Sequence, residues 1–385
     1  MTEPVKRRGR RIGLFLLLCL LALGAVAAYL LHDRYTGFAD APLAGVQAGQ
    51  TFVVERGDSF QRVLGRLREA GIVEGHELEW RALARQLGAD ARIQVGEYPL
   101  DPTVTPRELL VRMRDGRVIR HRFTIVEGWN MRELRAALAR AEPLAQTVQD
   151  MDDAALMSAL GREGVHPEGR FLPETYLYTR GDRDIDLLRR ANTALEAALD
   201  HAWETRADGL ALKDREEALV MASIIEKETG VADERPQISG VFNRRLQVGM
   251  RLQTDPTVIY GMGTAYDGNI RRRDLQTDTP YNTYTRDGLP PTPIAMAGKA
   301  AIEAATHPAD GDALYFVALG DGSGRHVFSR TYAEHNAAVR EYVRRYRARF
   351  SGGNAGADAA ADDAAPPNEA EVEAAVGAGA EASGE

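Results

Sequence analysis

Residues 12–31 carry no charge, and nine of these twenty positions are leucine. A helix rises 1.5 Å per residue, so the run predicts a transmembrane helix about 30 Å long, the thickness of a bilayer's hydrocarbon core. Residues 32–50 scatter Gly, Ala and Pro among single apolar residues and predict a linker. Shorter amphipathic pieces follow. A strand is expected over 51–55, then the turn Arg56-Gly-Asp58, then Ser59 as the N-cap of a helix on which Phe60, Val63, Leu64 and Leu67 share a face. A second helix is expected over 78–87 and a returning strand over 93–98. A further strand over 121–126 precedes a helix over 130–141 with Met131, Leu134 and Leu138 on one side. The clearest helix opens at Asp214, with Glu217 three residues on and Gly230 as a stop. Its residues 218–225 are apolar nearly all round, which predicts burial. Pro236 suits the first turn of the next helix, with Ile238, Val241, Phe242 and Leu246 inward. The fold class is therefore α+β: a single N-terminal transmembrane helix, a small α/β module and a larger mixed α+β domain.

Charge separates the ends from the body. The 385 residues hold 48 Lys+Arg and 56 Asp+Glu, a net charge of −8. Residues 1–11 contain five cations and one anion, whereas 351–385 contain three Asp, five Glu and no cation. The cations precede the apolar run, which predicts a cytoplasmic N-terminus with everything after residue 31 outside. The competing reading is a cleaved signal peptide, with Ala25-Val-Ala27 as its site, but the apolar run continues to Leu31. Leu18 before Cys19 argues against a lipoprotein. The tail, with Val372 and Val376 as its bulky apolar residues, is expected to be disordered. The nearly balanced body argues against nucleic acid as a partner. A single cysteine excludes an intramolecular disulfide or a Cys-based zinc site, and the eight histidines have no metal-ligand spacing. His326 and His335 border an expected hairpin whose turn is Gly320-Asp-Gly-Ser-Gly324, and read as structural. No cofactor or metal is implied.

Two acids end the apolar helix. At 100° per residue, Glu226 aligns with Leu219 between Ala222 and Ser223, while Glu228 points roughly the opposite way. A carboxyl at the end of such a helix has a raised pKa, as a general acid near neutral pH requires. The alternative is a structural ion pair with Arg244, Arg245 or Arg251. Met250-Arg-Leu-Gln-Thr-Asp-Pro-Thr257 and Tyr281-Asn-Thr-Tyr284 mix amides, hydroxyls and rings in loops, as sugar recognition does, although turn chemistry uses the same residues. Ser223 and Lys227 are four apart and no Lys-Thr-Gly follows, which argues against a serine acyltransferase.

The strand, Gly57-Asp-Ser59 turn, two helices and strand over about 51–98 resemble a LysM-type glycan-binding module; a small α/β packing domain has the same order. Ala222-Ser-Ile-Ile-Glu-Lys-Glu-Thr229, Val241-Phe-Asn-Arg-Arg-Leu246, residues 250–261, Tyr281-Asn-Thr-Tyr284, Gly288-Leu-Pro-Pro291 and residues 326–336 resemble the YceG-like endolytic murein transglycosylases. The resemblance runs from about Gly128 to Tyr342. It implies Glu226 as the catalytic acid and a non-hydrolytic cut of the MurNAc–GlcNAc bond, in which the muramic C6 hydroxyl closes a 1,6-anhydro ring. With it, Gln253, Thr254, Asp255, Asn282 and Tyr284 are expected to hold the glycan. Glu174, in Glu168-Gly-Arg-Phe-Leu-Pro-Glu-Thr-Tyr176, is either a further cleft residue or a cap. The implied partners are peptidoglycan strands, the membrane and penicillin-binding-protein synthases, and the implied place is the bacterial inner membrane with the catalytic domain periplasmic, terminating nascent strands. One departure is visible: Ala295-Met-Ala-Gly298 stands where the family often has Asn-Pro-Gly. The expected divisions are a basic stub (1–11), a span (12–31), a linker (32–50), a LysM-like module (51–117), a catalytic domain (118–350) and a tail (351–385). A membrane-tethered, non-cutting glycan scaffold is the competing function.

Overall fold

The computed structural model describes residues 5–72 and 74–351, so residues 352–385 of the expected disordered tail, and 1–4 of the stub, lie outside the described residues. The chain divides into two compact units, one reaching to His121 and including Tyr178–Gly181, the other holding 122–177 and 182 onward.

The first unit opens with α1, Val5–Asp40. Its part from Ile12 is long and apolar enough to cross a membrane, and its leucines are exposed. The helix does not stop at residue 31. Residues 32–40, expected to be linker, are helical, because no proline interrupts the chain between Val5 and Pro42 and Tyr35, Phe38 and Ala39 bring a new apolar face. Phe38 packs edge-on to Trp80 with ring centres 5.3 Å apart. Ala39, Leu43 and Val46 are buried in the unit's core, and Arg107 donates to Asp40 at 2.7 Å.

Strand β1, Thr51–Val54, pairs antiparallel with β2, Gly96–Pro99, in a register that sets Val54 against Gly96. Between them lie α2, Phe60–Glu69, and α3, Glu77–Leu87. Ser59 caps α2 by accepting the Arg62 N–H. Helix α4, Pro106–Asp115, has Thr105 as its cap and buries Leu109, Leu110 and Met113 in the same core.

In the second unit β3, His121–Thr124, pairs with β4, Thr175–Tyr178. Helices α5, Met131–Leu138, α6, Asp153–Ala159, and α7, Asp184–Glu204, belong to the first half. Helix α8, Arg215–Glu228, is the centre of the core: residues 218–225 are all buried, each large aliphatic contributing ~1.5–3 kcal/mol. Asp214 caps it by accepting the Glu217 N–H at 2.9 Å. It ends at Glu228, with extended Thr229 as its C-cap, so Gly230 is not the stop. Around it pack α7, α9, Arg235–Gln247, α10, Asp255–Met262, and α12, Lys299–Thr306. The short α11, Arg272–Gln276, follows α10. Strands β5, Tyr315–Ala318, and β6, His326–Ser329, form the expected hairpin, and α13, Tyr332–Ser351, ends the described chain. The architecture is mixed helix and sheet, with the helices supplying most of both cores.

Candidate active site

Glu226 stands at the last turn of α8 with its side chain only 5 % exposed. Oε2 accepts the Gly298 N–H at 2.9 Å, and Oε1 lies 3.4 Å from Arg235 Nη2. Burial raises its pKa first; the Gly298 hydrogen bond opposes this, the charge of Glu127 adds to it and Arg235 lowers it, and the net direction is upward. The cation is thus Arg235 and none of the three arginines expected as alternatives. Arg244 donates to the carbonyls of Ala309 and Ala313, Arg245 to those of Leu252 and Leu314, and Arg251 to Asp287.

The chain segment 294–298 holds Glu226 in place. Ser223 Oγ accepts the Ile294 N–H at 3.0 Å and donates to the Val220 carbonyl at 2.7 Å. Both of its hydrogen bonds go to backbone inside the core, which makes it a brace for this segment. Met296 exchanges backbone hydrogen bonds with Gly128 and Trp129 at 2.9 and 2.7 Å. This brings in Glu127, which sequence reasoning missed: a Cβ on Gly298 would stand 2.1 Å from Glu127 Oε1. Two carboxyl groups therefore meet at one glycine, Glu226 at its nitrogen and Glu127 at its α-carbon.

The glycan candidates form a second cluster on two joined loops. Gln253 adopts a left-handed φ of 50° and donates its N–H to the Thr283 carbonyl at 3.1 Å. The Thr254 N–H donates to Thr283 Oγ1 at 3.1 Å, and its hydroxyl donates to Glu228. Asp255 heads α10 and accepts from the Tyr284 hydroxyl at 2.5 Å. Asn282 is buried; its Nδ2 donates to the carbonyls of Asp274, Leu275 and Thr277, and its Oδ1 accepts the Tyr284 N–H. All its polar atoms are spent on backbone, so it shapes the loop from inside. Glu174 sits in the turn before β4, half-exposed and paired with Lys299, the residue after Gly298; it caps no helix.

Two further buried carboxyls have pKa values pushed up to about 7, with burial the largest cause. Glu228 is opposed by the Thr254 hydrogen bond and reinforced by the charge of Asp255. Glu168 accepts the Met131 N–H at 3.0 Å and the Tyr260 hydroxyl at 3.0 Å, tying the start of α5 to α10. Glu226 and Glu228 bond to different loops, as their helical phase requires. Among the described residues no group of three or more His, Cys, Asp or Glu is placed to hold a metal.

The model of the YceG-like family matches residues 52–341. The chain belongs to the YceG-like family. It is 30% identical over 312 residues to the endolytic murein transglycosylase of Bacillus subtilis strain 168, covering 75% of this chain and 84% of that protein. The endolytic murein transglycosylase of Streptococcus pneumoniae strain D39 is 24% identical over 328 residues, and the match spans 76% of this chain and 58% of that protein. A crystal structure of a YceG-like protein from Listeria monocytogenes is 28% identical, covers 75% of this chain and 99% of that one, and has a TM-score of 0.48.

In this YceG-like chain the Ala295-Met-Ala-Gly298 loop works through its main chain. The bonds it makes run from or to the backbone of Ile294, Met296 and Gly298. Side chains at 295–297 are therefore interchangeable so long as they fit the buried space. At Gly298 the bare α-carbon leaves room for the Glu127 carboxyl, which a side chain there would displace. His326 is structural in the same sense, its Nδ1 lying 2.8 Å from Glu234 Oε2.

Proposed function

We propose that this YceG-like protein is an endolytic lytic transglycosylase of murein with Glu226 as both acid and base. The observation that carries the reading is one buried carboxyl of raised pKa, hydrogen-bonded on one oxygen and loosely contacted on the other. The names of the bacillar and streptococcal relatives support the reaction class.

Protonated Glu226 gives its proton to the oxygen linking muramic acid to glucosamine, and the C1–O bond breaks. The C6 hydroxyl of the same muramic sugar attacks C1 and passes its proton to the Glu226 carboxylate. The products are a 1,6-anhydro end and a new glucosamine hydroxyl, and the acid is regenerated without water. The Gly298 N–H stabilises the carboxylate between the two steps. Such acid–base catalysis is worth roughly 10²–10⁴ in rate. Gln253, Tyr284, Thr254 and Asp255 hold the strand in this reading, with Asn282 supporting their loops and Glu174 at the edge.

The apolar part of α1 spans the inner membrane with its basic end in the cytoplasm, and the residues after Leu31 lie outside. The β1–α2–α3–β2 order supports a LysM-like glycan-binding role for the first unit. Termination of nascent strands beside a penicillin-binding-protein synthase fits a membrane-held cutter.

The test is digestion of purified peptidoglycan by the full-length chain, read by mass spectrometry. Anhydro-ended fragments are expected from the wild type and almost none from Glu226→Gln. Undiminished release by that variant overturns the assignment. Reducing ends would mark a hydrolase, and pelleting without any product a scaffold.

A further inference from the structure

Arg235 meets Glu226 with one corner of its guanidinium. The 3.4 Å separation is long for a charge-assisted N–H···O contact, which runs ~2.7–2.9 Å. Nε, which shares an edge of the fork with Nη2, is buried and has no hydrogen-bond partner among the described residues. A structural Arg–carboxylate pair uses that edge side-on, with both donors engaged. Here the edge is half used, the side chain is only 11 % exposed, and a buried donor without an acceptor is a standing cost to the fold. The unused donor lies beside the carboxyl at which the chemistry is proposed.

Resting on that reading of Glu226, we propose that the Nε–Nη2 edge of Arg235 binds the substrate, taking a carbonyl or carboxylate oxygen of the muramic sugar whose glycosidic bond Glu226 protonates. That sugar offers two such acceptors near the reacting carbon, the 2-acetamido carbonyl and the 3-lactyl arm. An acceptor on this edge satisfies Nε and draws Nη2 away from Glu226. The carboxyl then loses its cationic neighbour and keeps Glu127, so binding of the strand favours the protonated acid that the first step needs.

Glu127 apart, the other charges named on and beside α8 have partners among the described residues. Lys299 at the start of α12 is held by Glu174, and Asp255 of α10 by Tyr284. Glu196 and Asp200 of α7 hold Arg215 at the opposite end of α8. Lys227, next to Glu226 on α8, donates to the Gly128 carbonyl. Of the contacts just named, that of Arg235 with Glu226 is the longest.

The experiment uses the full-length chain in nanodiscs with murein strands of defined chemistry. Binding is measured first on Glu226→Gln and on Glu226→Gln with Arg235→Gln. The second is expected to bind about tenfold or more weakly, the scale of one charge-assisted hydrogen bond. Because neither protein is asked to turn over, this arm stands even if Glu226 proves not to be the acid. Thermal unfolding checks the fold; should Arg235→Gln unfold, Arg235→Lys carries the test, since it keeps the charge without the fork and is expected to bind as weakly.

In the active enzyme, the alkaline limb of kcat is expected at higher pH than that of kcat/KM, since one reports the bound and the other the free protein. The two limbs coincide in Arg235→Gln, and KM rises about tenfold, the same scale. Strands stripped of the 3-lactyl arm and strands stripped of N-acetyl groups identify the acceptor, because the effect of Arg235→Gln disappears on whichever lacks it. Unchanged affinity in both Arg235 variants overturns the proposal, as do coincident limbs in the wild type or an effect that survives both stripped strands.

Discussion

Three glutamates, Glu226 and Glu228 at the end of α8 and Glu168 beside α5 and α10, have raised pKa values, and their partners separate them. Glu168 and Glu228 take hydrogen bonds from hydroxyls fixed in the core, Tyr260 and Thr254, whereas Glu226 has a backbone amide and a loose arginine. The first two are structural acids with a measurable signature. Their folded pKa of about 7 exceeds the ordinary 4.5, so the folded chain binds more protons between those values. Stability therefore falls as pH rises from about 4.5 to about 7 and then levels off. Glu228→Gln is expected to raise the unfolding temperature at pH 8 and to change it little at pH 4, as followed by calorimetry. Glu226 was legible in the sequence because one helix's phase sets a carboxyl over Ala222 and Ser223. Glu127 and Arg235 were not, because each comes from a separate segment and no periodicity records which loop returns to which helix end.

At the scale of elements, α8 is braced by a segment without secondary structure. Ser223 is the pin: Ser223→Ala leaves the buried Ile294 N–H without its acceptor, a loss of ~1–3 kcal/mol. A lower unfolding temperature is expected together with a lower kcat, since the same segment presents Gly298 to Glu226. Gly169 braces it from the other side. Its φ is +74°, and a Cβ there would meet the Pro293 ring at 2.5 Å and the Ala295 carbonyl at 3.2 Å. Gly169→Ala combines left-handed strain with a clash against rigid neighbours and should cost roughly 2 kcal/mol or more in urea unfolding. The helices announced by caps at Ser59 and Asp214, and the helix expected from residue 130, were legible to within a few residues. Residues 250–257 read as loop, yet α10 begins at Asp255, because Asp-Pro serves a turn and a helix start equally well. Helix α12 is rich in alanine and shows little polar contrast, so its burial against α8 had no local sign.

For the whole molecule, an N-terminal helix long and apolar enough to cross a membrane was legible from composition, but the place where that helix ends was not. Phe38, Ala39, Leu43 and Val46 belong to the core of the first unit. Removing residues 1–31 should leave the unfolding of the remaining chain nearly unchanged, whereas removing 1–46 should destabilise the first unit selectively, seen as faster amide exchange at Trp80, Leu83 and Leu110. In the proposed topology, a helix that runs unbroken from its apolar stretch into a folded core acts as a strut and not as a tether. In the proposed topology residues 32–40 rise roughly 13 Å beyond the hydrocarbon. In that topology the folded part of the first unit stays at one height above the bilayer, and a glycan bound by it would lie in the layer of wall nearest the membrane.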